Sequence, residues 1–179
     1  TGGSTAAGIT MRIANHLAER RHEKFWVCRG RCDHSWAFKM LPDRKRSESF
    51  TWTLLRDPTR RIVSEFFHFE VSREHTPSSD ESFKRFLAHT PSVRSFYLRM
   101  FSLKKIPHVS DSEAPEIIRT ILDDYDFIGI TERMDESAVV LAMLLDVPVG
   151  DVLYLNAKTN GGYDGGVYQN TCQFIQPSH

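Results

Sequence analysis

The sequence predicts an α/β domain in three layers, a central parallel sheet flanked by helices. Three observations lead there. Short β-branched or aromatic runs alternate along the chain with stretches of helical spacing, the pattern of strands joined by crossover helices. A glycine-rich opening, TGGST, runs directly into one of those helical stretches. The chain has 179 residues, 40% of them apolar. A single domain of that size buries roughly 70% of its unfolded surface.

The elements follow in order. From Ser4 to about Arg21, Ile9, Ile13 and Leu17 recur at helical spacing, with Met11 and Ala14 filling in. FWVC, Phe25 to Cys28, is short, aromatic and β-branched and reads as a strand. FTWTLL, Phe50 to Leu55, reads as another and ends at RDP. Pro58 suits the first position of a helix capped by Asp57 and continuing through TRRIVSEFFHF. SREHTPSSDES is polar and turn-rich, a surface loop, and helix resumes near Phe83. DSEAPEIIRTIL starts a further helix, with an early Pro and acidic residues in its first turn. FIGI, Phe127 to Ile130, is a buried-type strand, and DESAVVLAMLL after it is a helix N-capped by Asp135. VLYL, Val152 to Leu155, is a last strand or extended segment, and NAKTNGGYDGG is loop. No repeat, low-complexity tract or long linker divides the chain, so a single domain is expected over residues 1–179.

Lys plus Arg number 23 and Asp plus Glu number 23, a balance that argues against a general polyanion binder and against a nucleic-acid partner. No stretch approaches the roughly 20 apolar residues of a membrane span, and no signal peptide is visible. Cys28 and Cys32 stand close enough for a small disulfide loop in an oxidising compartment, or are plain thiols, as is Cys172. Zinc held by Cys28, Cys32 and His34 lacks a convincing fourth ligand, so no metal is expected.

The chemistry concentrates at two places. In the opening loop, Gly2 and Gly3 let backbone N–H groups turn inward, and Ser4 and Thr5 begin a helix. Free amides at the positive end of a helix attract anions. By itself GGST is equally an ordinary capped turn. No Lys follows the glycines as in G-x-x-x-x-G-K-[ST], and no acidic residue pairs with a loop hydroxyl to hold magnesium. A phosphate is therefore expected, and an ATP-hydrolysing site is not. The second place is LLRDPTRRIVSEFFHF. Arg56 leaves a strand end, where its planar fork suits a phosphate, and Ser64 follows about two turns into the next helix. Each has a plainer reading: Arg56 paired with Asp57, and Ser64 on a solvated face. With both places present, a ligand carrying two separated phosphates is the expectation.

These residues carry a resemblance. TGGST followed by LRDPTRRIVSEFFHF resembles the 5′- and 3′-phosphate motifs of sulfotransferases that use 3′-phosphoadenosine 5′-phosphosulfate (PAPS). The closer likeness is to the membrane-bound carbohydrate branch, such as heparan sulfate 2-O-sulfotransferase and the galactose-3-O-sulfotransferases. FIGITERMDES with LAMLL resembles a segment late in that branch. The likeness spans most of the chain, but only the first two motifs are specific.

The resemblance implies a P-loop-like fold in which Thr1, Gly2, Gly3, Ser4 and Thr5 hold the 5′-phosphosulfate and Arg56 and Ser64 the 3′-phosphate. PAPS would be the donor, PAP the product, and no metal would take part. In the family a Lys precedes the Thr of the loop and stabilises the departing oxygen, so a first strand and its Lys are expected ahead of Thr1. The family's base is a His or acidic residue between the two motifs. CDHSWAF places His34 in that interval, with Asp33 as second choice or as the group that orients it. Lys158 and Thr159 in NAKTNGG are a candidate cofactor-side loop, although a solvated loop explains them equally. His68 in FFHF reads as core-packing or helix-face. The run Arg44, Lys45, Arg46 is either a solvated face or a contact for an acidic glycan. Trp36 could stack on a sugar, and Trp52, inside a strand, belongs to the core. The acceptor implied is a glycan hydroxyl, with a small-molecule or protein-tyrosine hydroxyl left open by the sequence, and the setting the Golgi lumen, with a membrane anchor outside this chain. Nothing in the sequence fixes an oligomeric state. The competing readings are a P-loop nucleotide kinase or NTPase, and a catalytically inactive domain that binds nucleotide and glycan.

Overall fold

The computed structural model describes residues 3–22, 36–40, 44–90, 95–106 and 108–154. Helices α1 (Gly3–Arg20) and α2 (Ala37–Met40) lead to strand β1 (Trp52–Leu55). Then come α3 (Pro58–Phe66), α4 (Asp80–His89), α5 (Phe96–Phe101), α6 (Ala114–Asp124), strand β2 (Phe127–Ile130) and α7 (Met134–Leu145). FWVC and all three cysteines lie outside the described residues. The described residues are thus mixed helix and sheet, with β1 and β2 paired in parallel from Trp52↔Phe127 to Leu55↔Ile130. Two compact units are present. The first takes the described residues up to Arg56 and those from Ser95 to Tyr154, the second those from Asp57 to Thr90.

The core of the first unit is the helical spacing read from the sequence made solid. Ile9 and Ile13 of α1 are 1% and 5% exposed and meet Ala138, Leu141 and Ala142 of α7, with Val147 and Val152. Trp52 and Phe127, the first residues of the two strands, pack partly buried against the same cluster. Trp52 is therefore a core residue, as its place in a strand suggested. On its polar side α1 grips the segment after α7. Arg12 donates from Nε to the Asp151 carbonyl at 3.0 Å, His16 Nδ1 stands 3.5 Å from Asp151 Oδ2, and Arg20 pairs with Asp146 at 3.0 Å.

Helix α7 presses closely on β2. A Cβ built at Gly129 would lie 2.8 Å from Leu54 Cδ2 and 2.9 Å from Ser137 Cβ, so only glycine fits. Two boundaries differ from expectation here. Asp135 is not the cap of α7: Thr131–Arg133 forms a 3-10 turn that feeds the helix at Met134, leaving Asp135 inside its first turn. There it accepts a hydrogen bond from Tyr154 Oη at 2.7 Å, which raises the pKa of that phenol. Nor does VLYL begin as a strand, because Pro148 opens a 3-10 turn over Val149–Val152 that buries Val152.

The run Arg44–Arg46 splits. Lys45 is exposed and pairs with Glu48 at 3.5 Å. The Arg44 side chain is only 3% exposed, and it donates to the Asp126 carboxylate and to the Asp124 carbonyl. Asp126 Oδ2 also accepts from the Thr51 N–H at 2.7 Å. Arg44 is therefore a pin at the leading edge of the two strands rather than a residue of a solvated face. Trp36 also has an occupant: the Arg99 guanidinium lies 5.0 Å from its ring centroid.

In the second unit α3 begins as its sequence dictates. Asp57 accepts from the Arg60 N–H at 2.8 Å, and Pro58 takes the first turn. The helix runs on through a wider π-helical turn, Phe67–Val71. Phe66, 1% exposed, meets Phe67, Phe83 and Phe86 at centroid distances of 5.5, 5.2 and 5.6 Å. His68 is half-buried and its ring lies 4.7 Å from that of Phe69, so it packs at the border of the helix face and the core. Helix α4 starts earlier than expected, because Ser79 caps it by accepting from the Ser82 N–H at 3.2 Å.

Candidate functional site

Ligands of parallel sheets gather beyond the carboxyl ends of the strands. Here that edge is the step from Leu55 to Arg56 and from Ile130 to Thr131. β1 stops because Asp57 and Pro58 start a helix, and Pro58 has no N–H to give a ladder. Arg56 is thus the first residue beyond the paired strand.

Its backbone is held by one hydroxyl. Tyr97 Oη, from α5, donates to the Arg56 carbonyl at 2.8 Å and accepts from the Arg56 N–H at 3.2 Å. β2 ends in the same way. Ser137 Oγ, from α7, accepts from the Ile130 N–H at 2.8 Å and donates to the Ile130 carbonyl at 3.1 Å. Both strand ends therefore carry a hydroxyl bracket that satisfies peptide groups where the ladder runs out.

Tyr97 is itself fixed by an aromatic column. Its ring stacks on Phe101 at 5.3 Å with an 18° interplanar angle, and Phe101 meets the edge of Tyr125 at 6.0 Å. Tyr125 Oη donates to the Phe101 carbonyl at 3.1 Å. Burial pushes the Tyr125 phenol up to about 12, with the Asp124 charge adding to the rise and Arg44 opposing it. It is a neutral structural donor at physiological pH.

The cations at this edge are unequal. Arg133 is held at two points by Glu136, Nε to Oε1 at 3.0 Å and Nη2 to Oε2, which raises its pKa further. Arg56 faces Glu132, with Nε 4.0 Å from Oε1, an ion-pair separation too long for a hydrogen bond. Both side chains are close to 30% exposed, at 29% and 28%. A guanidinium with rigid backbone, loose pairing and open access is suited to exchange a carboxylate for an incoming anion.

The residues expected at the site fall as follows. Gly3, Ser4 and Thr5 form the first turn of α1, in the first unit, so the described part of the opening loop is a helix N-terminus. Arg56 stands at the strand end, as expected. Ser64 is in α3 of the second unit and is 7% exposed, so it does not lie on a solvated face. Thr1, Gly2, Asp33, His34, Lys158 and Thr159 lie outside the described residues. Sequence reasoning missed Tyr97, Glu132 and Ser137. Glu132 had a signal, an acid just past a buried-type strand. Ser137 had a weaker one, a hydroxyl amid an apolar helix. Tyr97 had none.

Among the described residues no group of three or more His, Cys, Asp and Glu could hold a metal ion, and no helix is long and apolar enough to cross a membrane. Comparison with protein-family models, with curated proteins and with solved structures finds no match to this chain.

Proposed function

We propose that this chain is a PAPS-dependent sulfotransferase acting on a carbohydrate hydroxyl, with the three-layer P-loop-like fold that its motifs resemble. The observation that carries the reading is Arg56: an accessible guanidinium on a fixed backbone, at the carboxyl end of a parallel strand, in the motif where the family binds the 3′-phosphate. A phosphate dianion there forms shorter, charge-assisted hydrogen bonds than Glu132 makes at 4.0 Å. The helix N-terminus at Gly3–Thr5 supports the second half, since its amides and dipole suit the 5′-phosphosulfate. Thr1, Gly2, Ser64, Lys158 and Thr159 enter the cofactor site from the sequence and the resemblance alone, as does residence in the Golgi lumen behind an anchor outside this chain.

In the reaction, the acceptor oxygen attacks the sulfur of PAPS in line. A new S–O bond forms while the bond to the bridging oxygen of the 5′-phosphate breaks, and PAP leaves with that electron pair. The acceptor's proton passes to His34, with Asp33 orienting the imidazole. Positioning and charge stabilisation supply most of the acceleration. A base of this kind adds about 10²–10⁴-fold.

The test is turnover. Transfer of labelled sulfate from PAPS to a panel of desulfated glycans should proceed in the presence of a metal chelator. It should collapse in His34→Ala while PAP binding survives. Magnesium-dependent hydrolysis of ATP, with no sulfate transfer, would reject the proposal in favour of a nucleotide kinase or NTPase.

A further inference from the structure

The hydroxyl bracket at the end of β1 carries an inference beyond the cofactor assignment, and it rests on that assignment. We propose that Tyr97 is a positioning residue for the 3′-phosphate: it fixes the Arg56 backbone and thereby strengthens the preference of the site for a 3′-phosphorylated nucleotide.

The ladder ends with Leu55 opposite Ile130, so neither peptide group of Arg56 has a strand partner within it. Tyr97 Oη serves both, using its donor on the carbonyl at 2.8 Å and its acceptor on the N–H at 3.2 Å. Two bonds from one atom fix the torsions on either side of the Arg56 Cα, and so the direction in which its Cβ leaves. The tyrosine does not itself drift, because its ring is stacked on Phe101, whose carbonyl is held by Tyr125. The guanidinium, by contrast, meets Glu132 at 4.0 Å, a separation longer than a hydrogen bond. The design is a rigid root and a loosely held head. Such a side chain binds an anion without first ordering its own backbone.

The expected size follows from that ordering. Fixing the backbone of one residue costs about 1–2 kcal/mol, and losing the bracket should return the lower part of it, since the ladder still holds Leu55 beside Arg56, so 3′-phosphate binding should weaken about three- to tenfold. Tyr97 makes no claim on the 5′ end of the ligand. Affinity for adenosine 5′-monophosphate, which lacks the 3′-phosphate, should therefore be unaffected.

Calorimetric titrations of the wild type, Tyr97→Phe, Arg56→Ala and the double variant with PAP and with adenosine 5′-monophosphate test this. The wild type should prefer PAP, Tyr97→Phe should lose three- to tenfold of that preference, and Tyr97→Phe should add nothing on top of Arg56→Ala. A Tyr97→Phe protein with undiminished preference overturns the inference, and so does one that weakens both ligands equally. If the wild type itself shows no preference for PAP, the cofactor assignment fails and takes the inference with it. Should Tyr97→Phe fail to fold, amide hydrogen exchange on the wild type decides. PAP should slow exchange at the Arg56 N–H, and adenosine 5′-monophosphate should not. Equal rates with both ligands would overturn the role of Tyr97.

Discussion

Replacing Arg44 with Met should destabilise the unit that holds β1 and β2 by about 3 kcal/mol, although the residue sits in a run that reads as surface charge. The magnitude follows from its contacts. The side chain is 3% exposed, and its guanidinium serves the Asp126 carboxylate and the Asp124 carbonyl, with Ser49 Oγ at 3.3 Å. Removing one partner of a buried pair costs about 3–5 kcal/mol. The lower end applies, because Asp126 is 24% exposed and keeps the Thr51 N–H at 2.7 Å. The assay is urea unfolding. With a slope of about 2 kcal/mol per molar, the midpoint should fall by about 1.5 M. Lys45→Met is the internal control, since its pair with Glu48 is 73% and 68% exposed. That change should stay within about 0.5 kcal/mol. Adding Asp126→Asn completes a cycle whose coupling should be at least about 1 kcal/mol. A midpoint shift for Arg44→Met no larger than that for Lys45→Met would refute the reasoning and return Arg44 to the solvated face.

Three further outcomes are expected. Gly129→Ala should cost about 1–3 kcal/mol in thermal or urea unfolding, because its Cβ would stand 2.8 Å from Leu54 and 2.9 Å from Ser137. A stability unchanged within error would mean that α7 does not press on β2 as described. Asp57→Ala should cost about 1 kcal/mol through loss of the α3 cap, and Asp57→Asn much less. Tyr125 titrates at about 12 in the folded state against about 10 for a free phenol. The folded chain keeps a proton that the unfolded chain releases, so this contribution is complete below pH ~10 and disappears as the pH rises through about 12. Tyr125→Phe should flatten that part of the alkaline stability profile, and ultraviolet titration of tyrosinate should lose a step at about pH 12.

The parts of the fold set by neighbours in the chain were legible. α1 follows from Ile9, Ile13 and Leu17, the start of α3 from Asp57 and Pro58, and β1 and β2 from their β-branched and aromatic runs. Misreadings arose where a local rule had a competitor. Asp135 looked like a cap, but Thr131–Arg133 had already turned the chain into helical geometry. In VLYL only Val152 departs from an extended segment, because it closes the 3-10 turn that Pro148 sets up, and Leu153 leaves that turn in extended geometry. Arg44 looked like its neighbours because burial of a charge depends on a partner, Asp126, that is remote in sequence. The candidate site divides in the same way. Arg56 announced itself by following a strand run and preceding RDP's helix start. Tyr97 did not, because a hydroxyl that spans two backbone groups of a distant residue leaves no periodic trace.

On the proposed function, the strand-end guanidinium of Arg56 receives the 3′-phosphate of PAPS. Calorimetric titration with adenosine 3′,5′-bisphosphate against ADP and ATP, with and without magnesium, tests it most directly. Preferential binding of the bisphosphate is expected, indifferent to magnesium and lost in Arg56→Ala. Preference for ATP with magnesium, or bisphosphate binding that survives Arg56→Ala, would contradict it.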